Sequence, residues 1–401
     1  MGAAGAASVM APARIAEDIL SIRRAPARRE ELVAMLAEQS AVYRGLGSGE
    51  AERIRGFVLA SFEKVGLPET ALPFILEELE TGLNPYTVAA AAKGLRGAGR
   101  ISDTALALLG IAALRIENND DNVQHETFDP GDRAPARTSA LAEIVRTIGL
   151  SGAPAQRLRG TLDEIAGRGN ISPDVAAAIE QARWDLSGET AGHCCCSPSP
   201  AITTTSASPV RQNVDNPAIG DFALEDQNGA TFRYADFFHG RPSVLTFFYT
   251  RCMNPKKCSL TVSKLAGLQR RLAQRDIGHR INVAAFTYDP VYDRANRLQT
   301  YGLERSFQFD ARNRFVRTVA SFEPIQSKFN LGVGFGPATV NQHSVDLLIL
   351  DPAGEPVRQF SRVQWDDADV LDALSGVLAA TGVASETSQT TPPDTGARPI
   401  Y

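Results

Sequence analysis

The residues of this 401-residue chain best placed to do chemistry are two cysteines in the stretch Phe247–Leu260, "FFYTRCMNPKKCSL". Cys252 and Cys258 follow an apolar, aromatic run and lead into a segment of helical periodicity. Five residues separate them, too many for a thioredoxin-type Cys-x-x-Cys pair. A disulfide, a catalytic thiol pair, a metal clamp and two structural cysteines all stand as readings. A cysteine between a strand and a helix N-terminus has its thiolate favoured by unpaired N–H groups and the helix dipole. Arg251, Lys256 and Lys257 add three cations to the same loop. A free thiol with a pKa of about 8.5 is only slightly ionised at neutral pH, so such surroundings decide reactivity or metal binding. Two thiolates on one cuprous ion would leave a single net negative charge for those cations to offset.

The third chemical residue is His343, in "NQHSVDLLILD", just ahead of a buried strand. In a thioredoxin-like order that position packs against the cysteine loop. Two soft sulfurs and an imidazole suit copper, because thiolates favour Cu(I) and imidazole also accepts Cu(II). A structural zinc site wants four protein ligands, and only three are in view. "GHCCCSPSP" offers a second candidate metal site, His193 with Cys194, Cys195 and Cys196, which either completes the first site, feeds it, or is an incidental tract. His125, His239 and His279 read as surface residues.

The elements that must position these groups fall into two classes. "EAERIRGFVLASFEKVGL", "TALPFILEELETGL" and "NPYTVAAAAKGLRGAG" carry apolar residues at helical spacing. Gly66, Gly99 and Gly149 punctuate the helices at intervals of 33 and then 50 residues, which predicts a HEAT-like solenoid of stacked helix pairs. Later, "FALEDQNGATFRY" reads as a hairpin about Asn-Gly, and "PSVLTFFY" and "INVAAFTYD" as buried strands. "LTVSKLAGLQRRLAQRD" and "DRANRLQTYGLE" read as helices, "SVDLLILDPAGEPVRQFS" as a hairpin, and "DDADVLDALSGVLAA" as a closing helix. Strands alternating with helices give an α/β, thioredoxin-like order. The expected division is a flexible N-terminus at 1–26, an all-α helical-repeat domain at 27–186, and a Ser/Thr/Pro-rich linker at 187–215. A thioredoxin-like domain at 216–381 and a disordered tail at 382–401 follow.

Hydrophobic residues make up 43% of the chain and charged residues 22%, with a net charge of −5. No basic stripe suggests nucleic-acid binding. No window reaches about 18 uninterrupted apolar residues, so no membrane span is expected. The N-terminus lacks a basic region followed by an apolar core, so a cytoplasmic location is expected. Five cysteines in 401 residues are not a disulfide scaffold.

Four ordered motifs in residues 216–381 resemble the Sco/SenC family of copper-binding, thioredoxin-like proteins that help assemble the copper site of cytochrome oxidase. They are "FFYTRCMNPKKC", "FTYDPVYDRANRLQTYG", "NQHSVDLLILDPAGEPV" and "WDDADVLDAL". The resemblance implies Cys252, Cys258 and His343 as copper ligands, with Asp289 and Asp293 beside the site. Read from their own position, the two aspartates are equally suited to capping the helix in "DRANRLQTYG". The family spacing is usually Cys-x-x-x-Cys with a proline beside a cysteine, and its members are normally tethered by one membrane helix. Here five residues intervene, and no tether is seen. The expected function is copper delivery or metal-dependent maturation of a partner protein, with a partner, such as a copper acceptor, on the helical domain. The alternative is a thiol–disulfide oxidoreductase or copper-dependent redox enzyme whose catalytic residues are Cys252 and Cys258. A thiol peroxidase fits poorly, because Tyr249 stands where its Thr-x-x-Cys arrangement needs threonine.

Overall fold

Prolines and short polar residues set the starts of the helices in the first half. The computed structural model of the chain describes residues 11–125, 138–187 and 219–387. The helices are α1 (Pro12–Arg23), α2 (Arg29–Leu36), α3 (Ser48–Val65), α4 (Leu72–Thr81) and α5 (Pro85–Leu95). They continue as α6 (Asp103–Ile116), α7 (Ala140–Leu150), α8 (Arg159–Gly167) and α9 (Pro173–Leu186). A two-residue antiparallel clip, β1 (Asn122–Val123) with β2 (Thr138–Ser139), is inserted before α7. Pro85 and Pro173 occupy first-turn positions, where a missing N–H costs nothing. The side chains of Asn84, Ser102, Ser139 and Ser172 accept from otherwise unpaired amides of α5, α6, α7 and α9.

These helices share one core and pack in two layers. Successive neighbours α3, α5, α7 and α9 lie side by side, and α4 packs on α6 behind them. Gly66 ends α3 at a φ of 83°, a conformation that a side chain disfavours. Gly149 does not stop a helix as its spacing suggested. It lies inside α7, where a Cβ would come within 2.9 Å of the Ala182 backbone in α9. Residues 12–23, expected to be flexible, form α1 instead and bury Ile15, Ile19 and Leu20 in the helical core. The sequence pattern hid this because polar residues interrupt a short apolar face.

The second half forms a mixed sheet. Its elements are β3 (Ala223–Asp226), β4 (Thr231–Arg233), α10 (Tyr234–Phe238), β5 (Ser243–Phe248), α11 (Leu260–Gln274), β6 (Asn282–Thr287) and α12 (Ala295–Leu303). Then come β7 (Asn313–Thr318), α13 (Glu323–Phe329), β8 (Val333–Phe335), β9 (Val340–His343), β10 (Asp346–Leu350), β11 (Pro356–Ser361) and α14 (Asp367–Thr387). The strand order is β11-β10-β5-β6-β7-β3-β4, with β5, β6 and β7 parallel at the centre. All six residues of β5 and all six of β6 are buried, as strands covered on both faces require. This is the thioredoxin-like α/β fold expected. The sequence reading lacked α10, β7, α13 and the separate β8–β9 hairpin, and it ended the closing helix short of Thr387. The His193–Cys196 tract lies outside the described residues. No helix among them is long and apolar enough to cross a membrane.

The two halves meet across buried charge. Arg362, just after β11, reaches Glu38 at 2.7 and 2.9 Å and Glu77 of α4 at 2.9 Å. Arg55 of α3 bonds Glu78 at 3.0 Å, the Leu36 carbonyl at 2.7 Å and the Gln342 side chain at 3.3 Å. Lys257, from the cysteine loop, reaches Glu77 at 2.7 Å. Glu38 and Glu77 are 1% and 0% exposed, so each depends on these cations. Burial pushes the Glu77 carboxyl up, but Lys257, Arg362 and Arg55 outweigh it and hold Glu77 at about 2. Its folded pKa lies below the ordinary 4.5, so its stabilisation is complete above that value and is lost as pH falls toward about 2. Replacing Arg362 with Met strands carboxylates in this interface. A loss of about 3–5 kcal/mol in urea unfolding is expected. A loss below about 1 kcal/mol would mark the pairs as behaving like exposed ones.

Candidate metal centre

The cysteine loop is fixed at its root by one buried aspartate. Asp293 accepts from the Thr250 amide at 3.0 Å, from the Thr250 hydroxyl, and from the Thr287 hydroxyl at 2.5 Å. It thereby ties the ends of β5 and β6 together. Burial raises its pKa, and the three donors only partly offset that. Asp289 pairs with Arg251, whose Nε lies 3.1 Å away, while the guanidinium covers the Tyr292 ring at 4.3 Å. Neither aspartate caps α12, whose N-cap is Arg294 with no side-chain bond. Nor does either join the cluster of metal-capable atoms. Their position beside the site is instead that of braces for its loop.

Beyond Thr250 the chain turns through Cys252 and Met253 into a short turn, Pro255–Ser259, kinked at Lys257, that runs directly into α11. The Asn254 side chain accepts from the Lys256 amide at 2.9 Å and starts that turn. The backbone leaves helical geometry at Lys257, with φ −102° and ψ −108°, and this kink lies immediately before the inward-facing Cys258. Cys258 is 1% exposed and Cys252 half-buried, whereas Met253 between them is 89% exposed. The open side of the loop is therefore the Cys252 side.

His343 closes the group from the end of β9. Its Nε2 lies 3.4 Å from the Cys252 sulfur and 3.7 Å from the Cys258 sulfur, and the three atoms all lie within 4.8 Å of one another. Its Nδ1 lies 3.0 Å from the Ser344 carbonyl. A carbonyl only accepts, so Nδ1 carries a proton and donates it there, leaving Nε2 to face the sulfurs. The Tyr249 ring stands edge-on to the imidazole at 5.3 Å, and the Tyr288 ring lies at 5.7 Å. Among the described residues no other group of three His, Cys, Asp or Glu side chains converges this way. The donor chemistry of two sulfurs and an oriented imidazole nitrogen fits a soft metal ion.

The two thiols are electrostatically unequal. The Cys258 thiol donates toward Cys252, and His343 adds to this when its Nε2 is protonated as well, so the Cys252 pKa falls well below the ordinary thiol range despite burial. Burial raises Cys258, and its shared proton raises it further. The pair therefore gives up its first proton from Cys252 in preference to Cys258. Of the three loop cations, Arg251 and Lys257 are already committed to Asp289 and Glu77. His125, expected at the surface, is 2% exposed and its Nε2 lies 2.9 Å from the Tyr86 carbonyl. The Ser344 carbonyl, the Asp293 tie and the contact from Glu77 had no counterpart in the sequence reading. Thr250, Thr287, Asp293, Ser344 and Glu77 all lay within quoted stretches, but nothing there marked them as bonded to one another or to the site.

In metal-free protein, thiolate absorbance near the ultraviolet edge should persist well below the about 8.5 of a free thiol. Cys252→Ser should remove it, and Cys258→Ser should shift its midpoint upward. A single titration near the free-thiol value in wild type would contradict the shared-proton arrangement.

Comparison with known proteins bears on the same half of the chain. The SCO1/SenC family model matches residues 210–379. No curated protein matches. Among solved structures, a SCO1/SenC family lipoprotein from Bacillus anthracis is 19% identical, with a TM-score of 0.35, over 41% of this chain and 99% of its own. ScoI from Bradyrhizobium japonicum, determined with copper bound, is 20% identical, with a TM-score of 0.33, over 40% and 99%. Copper-bound yeast Sco1 is 20% identical, with a TM-score of 0.33, over 44% and 96%. The converging cysteines and histidine thus lie within the segment that matches the SCO1/SenC family model.

Proposed function

We propose that the chain binds copper through Cys252, Cys258 and His343 and carries it as cargo, for delivery to a partner protein or for that partner's metal-dependent maturation. The observation that supports this most directly is the convergence of two sulfurs and His343 Nε2 within 4.8 Å, with Nδ1 held by the Ser344 carbonyl. A ring nitrogen oriented in this way is what second-sphere bonding provides for metal-ligating histidines. Thiolate donors select Cu(I), and the imidazole keeps Cu(II) acceptable. The proposed site residues are these three alone. Asp289 and Asp293 shape the loop without supplying a ligand atom to the cluster.

The two-layered helical half is read as a HEAT-like scaffold for a protein partner. Its support is the side-by-side succession of α3, α5, α7 and α9 over α4 and α6, the kind of stack that offers extended surfaces. A second reading, thiol–disulfide exchange, draws on one observation: a low-pKa Cys252 hydrogen-bonded by Cys258 is a poised attacking thiol.

Reconstitution with Cu(I) and Cu(II) separates the two. Wild type is expected to take up one equivalent and to show a thiolate-to-Cu(II) absorption band. Cys252→Ser, Cys258→Ser and His343→Ala should each abolish the band and weaken binding by about 10-fold or more. Normal binding by His343→Ala, together with rapid cycling of the cysteines on a disulfide substrate, would replace the copper reading with the exchange reading.

A further inference from the structure

The metal-capable residues belong to the sheet half, but their nearest polar neighbours on one side belong to the helical half. Lys257 is the joint. Its ammonium donates to the His343 carbonyl at 2.9 Å and to Glu77 Oε1 of α4 at 2.7 Å. Lys257 is also the residue next to Cys258, so one side chain spans the cysteine loop and the histidine strand. The Asn254 amide, two residues after Cys252, donates to the Thr81 carbonyl at the end of α4 at 2.9 Å. Gln342, next to His343, accepts from Arg55 of α3 at 3.3 Å. Gln364 donates to the Lys256 carbonyl at 3.2 Å while its own amide donates to Glu80 of α4 at 3.0 Å. Both ligand-bearing segments are therefore gripped from α3 and α4.

An ammonium as buried as Lys257 requires a counter-charge, and Glu77, 0% exposed, is the nearest one. Glu77 is in turn held by Arg362 at 2.9 Å. Removing the carboxylate would leave the ammonium without its ion pair, and the cheapest relief is for Lys257 to swing toward water. That movement would release the His343 carbonyl and the turn carrying Cys258 together.

We propose that Glu77 of the helical domain is a positioning residue for the cysteine–histidine centre and acts through Lys257, so that docking of the helical half sets the geometry of the site. The copper arm of the test rests on the metal reading above, while the hydrogen-exchange arm does not. Glu77→Gln, Lys257→Met and the double variant should each be compared with wild type as full-length protein. In the metal-free state, amides of 252–258 and 340–344 should lose protection in both single variants. The double variant should lose no more than either single variant, as expected for two residues acting as one unit. Protection in 243–248 and 282–287 should stay unchanged. With copper loaded, release of Cu(I) to a competing chelator should accelerate by about 10-fold or more, the usual cost of losing a group that orients metal ligands. Lys257→Met leaves the Glu77–Arg362 contact in place, so it decides the matter if Glu77→Gln fails to fold. Unchanged exchange in both ligand segments of folded Lys257→Met overturns the proposal, as does a lowered melting temperature with an unaltered Cu(I) release rate. If wild type takes up no copper, the metal reading fails and the exchange pattern alone still decides the role of Glu77.

Discussion

A charge removed from water must find an opposite charge, and that requirement organises the junction on which this molecule depends. Glu38, Glu77 and Glu78 come from the helical half and are met by Arg55, Arg362 and Lys257. Two of the three cations come from the sheet half, so neither half can satisfy its own charges alone. Hydrophobic contact would tolerate sliding of one half on the other, but ion pairs at 2.7 to 2.9 Å do not. The same pairs reach the strand and loop that carry Cys258 and His343. Interface and chemical centre are thus one bonded structure, even though their residues lie some 180 positions apart in sequence.

The centre itself follows from the order of the sheet. Parallel β5 and β6 end side by side, and the loop leaving β5 opens over that end, where open α/β sheets gather their functional groups. Asp293 closes the gap between the two strand ends, and β9 brings His343 in from the other side. The unusual cysteine spacing does not break this plan. The extra chain is taken up in the turn at Pro255–Ser259, leaving both sulfurs within reach of the imidazole.

Much of this was legible in the sequence. Buried strands such as "PSVLTFFY" are unbroken apolar runs, and hairpins such as "DPAGEP" carry turn residues, so both announce themselves locally. Cys252, Cys258 and His343 were legible because their side-chain types are chemically uncommon and their flanking motifs ordered. What escaped was of two kinds. Short elements such as β7, "NRFVRT", and the β8–β9 hairpin mix polar and apolar residues without a clean period, so neither reads as a strand from its own residues, although β7 is paired on both sides within the sheet. The roles of Glu77 and Lys257 escaped for a different reason. Each is an ordinary surface-type residue in its own segment, "FILEELET" or "NPKKC", and becomes exceptional only by burial against the other.

The docked helical half also makes the three metal-capable residues unequal. Cys258 and His343 are 1% and 7% exposed and lie on the side where Lys257 joins α4, while Cys252 stays half-open beside the exposed Met253. Cys252 is also the thiol whose pKa is lowered, so of the two it parts with its proton more readily. Exposure and a lowered pKa coincide on one residue, and burial and a raised pKa on its neighbour. Whatever approaches the centre, a metal-bearing partner or a disulfide, meets Cys252 first. Cys258 and His343 lie deeper, and the ion pairs beside them join that deeper side to α4.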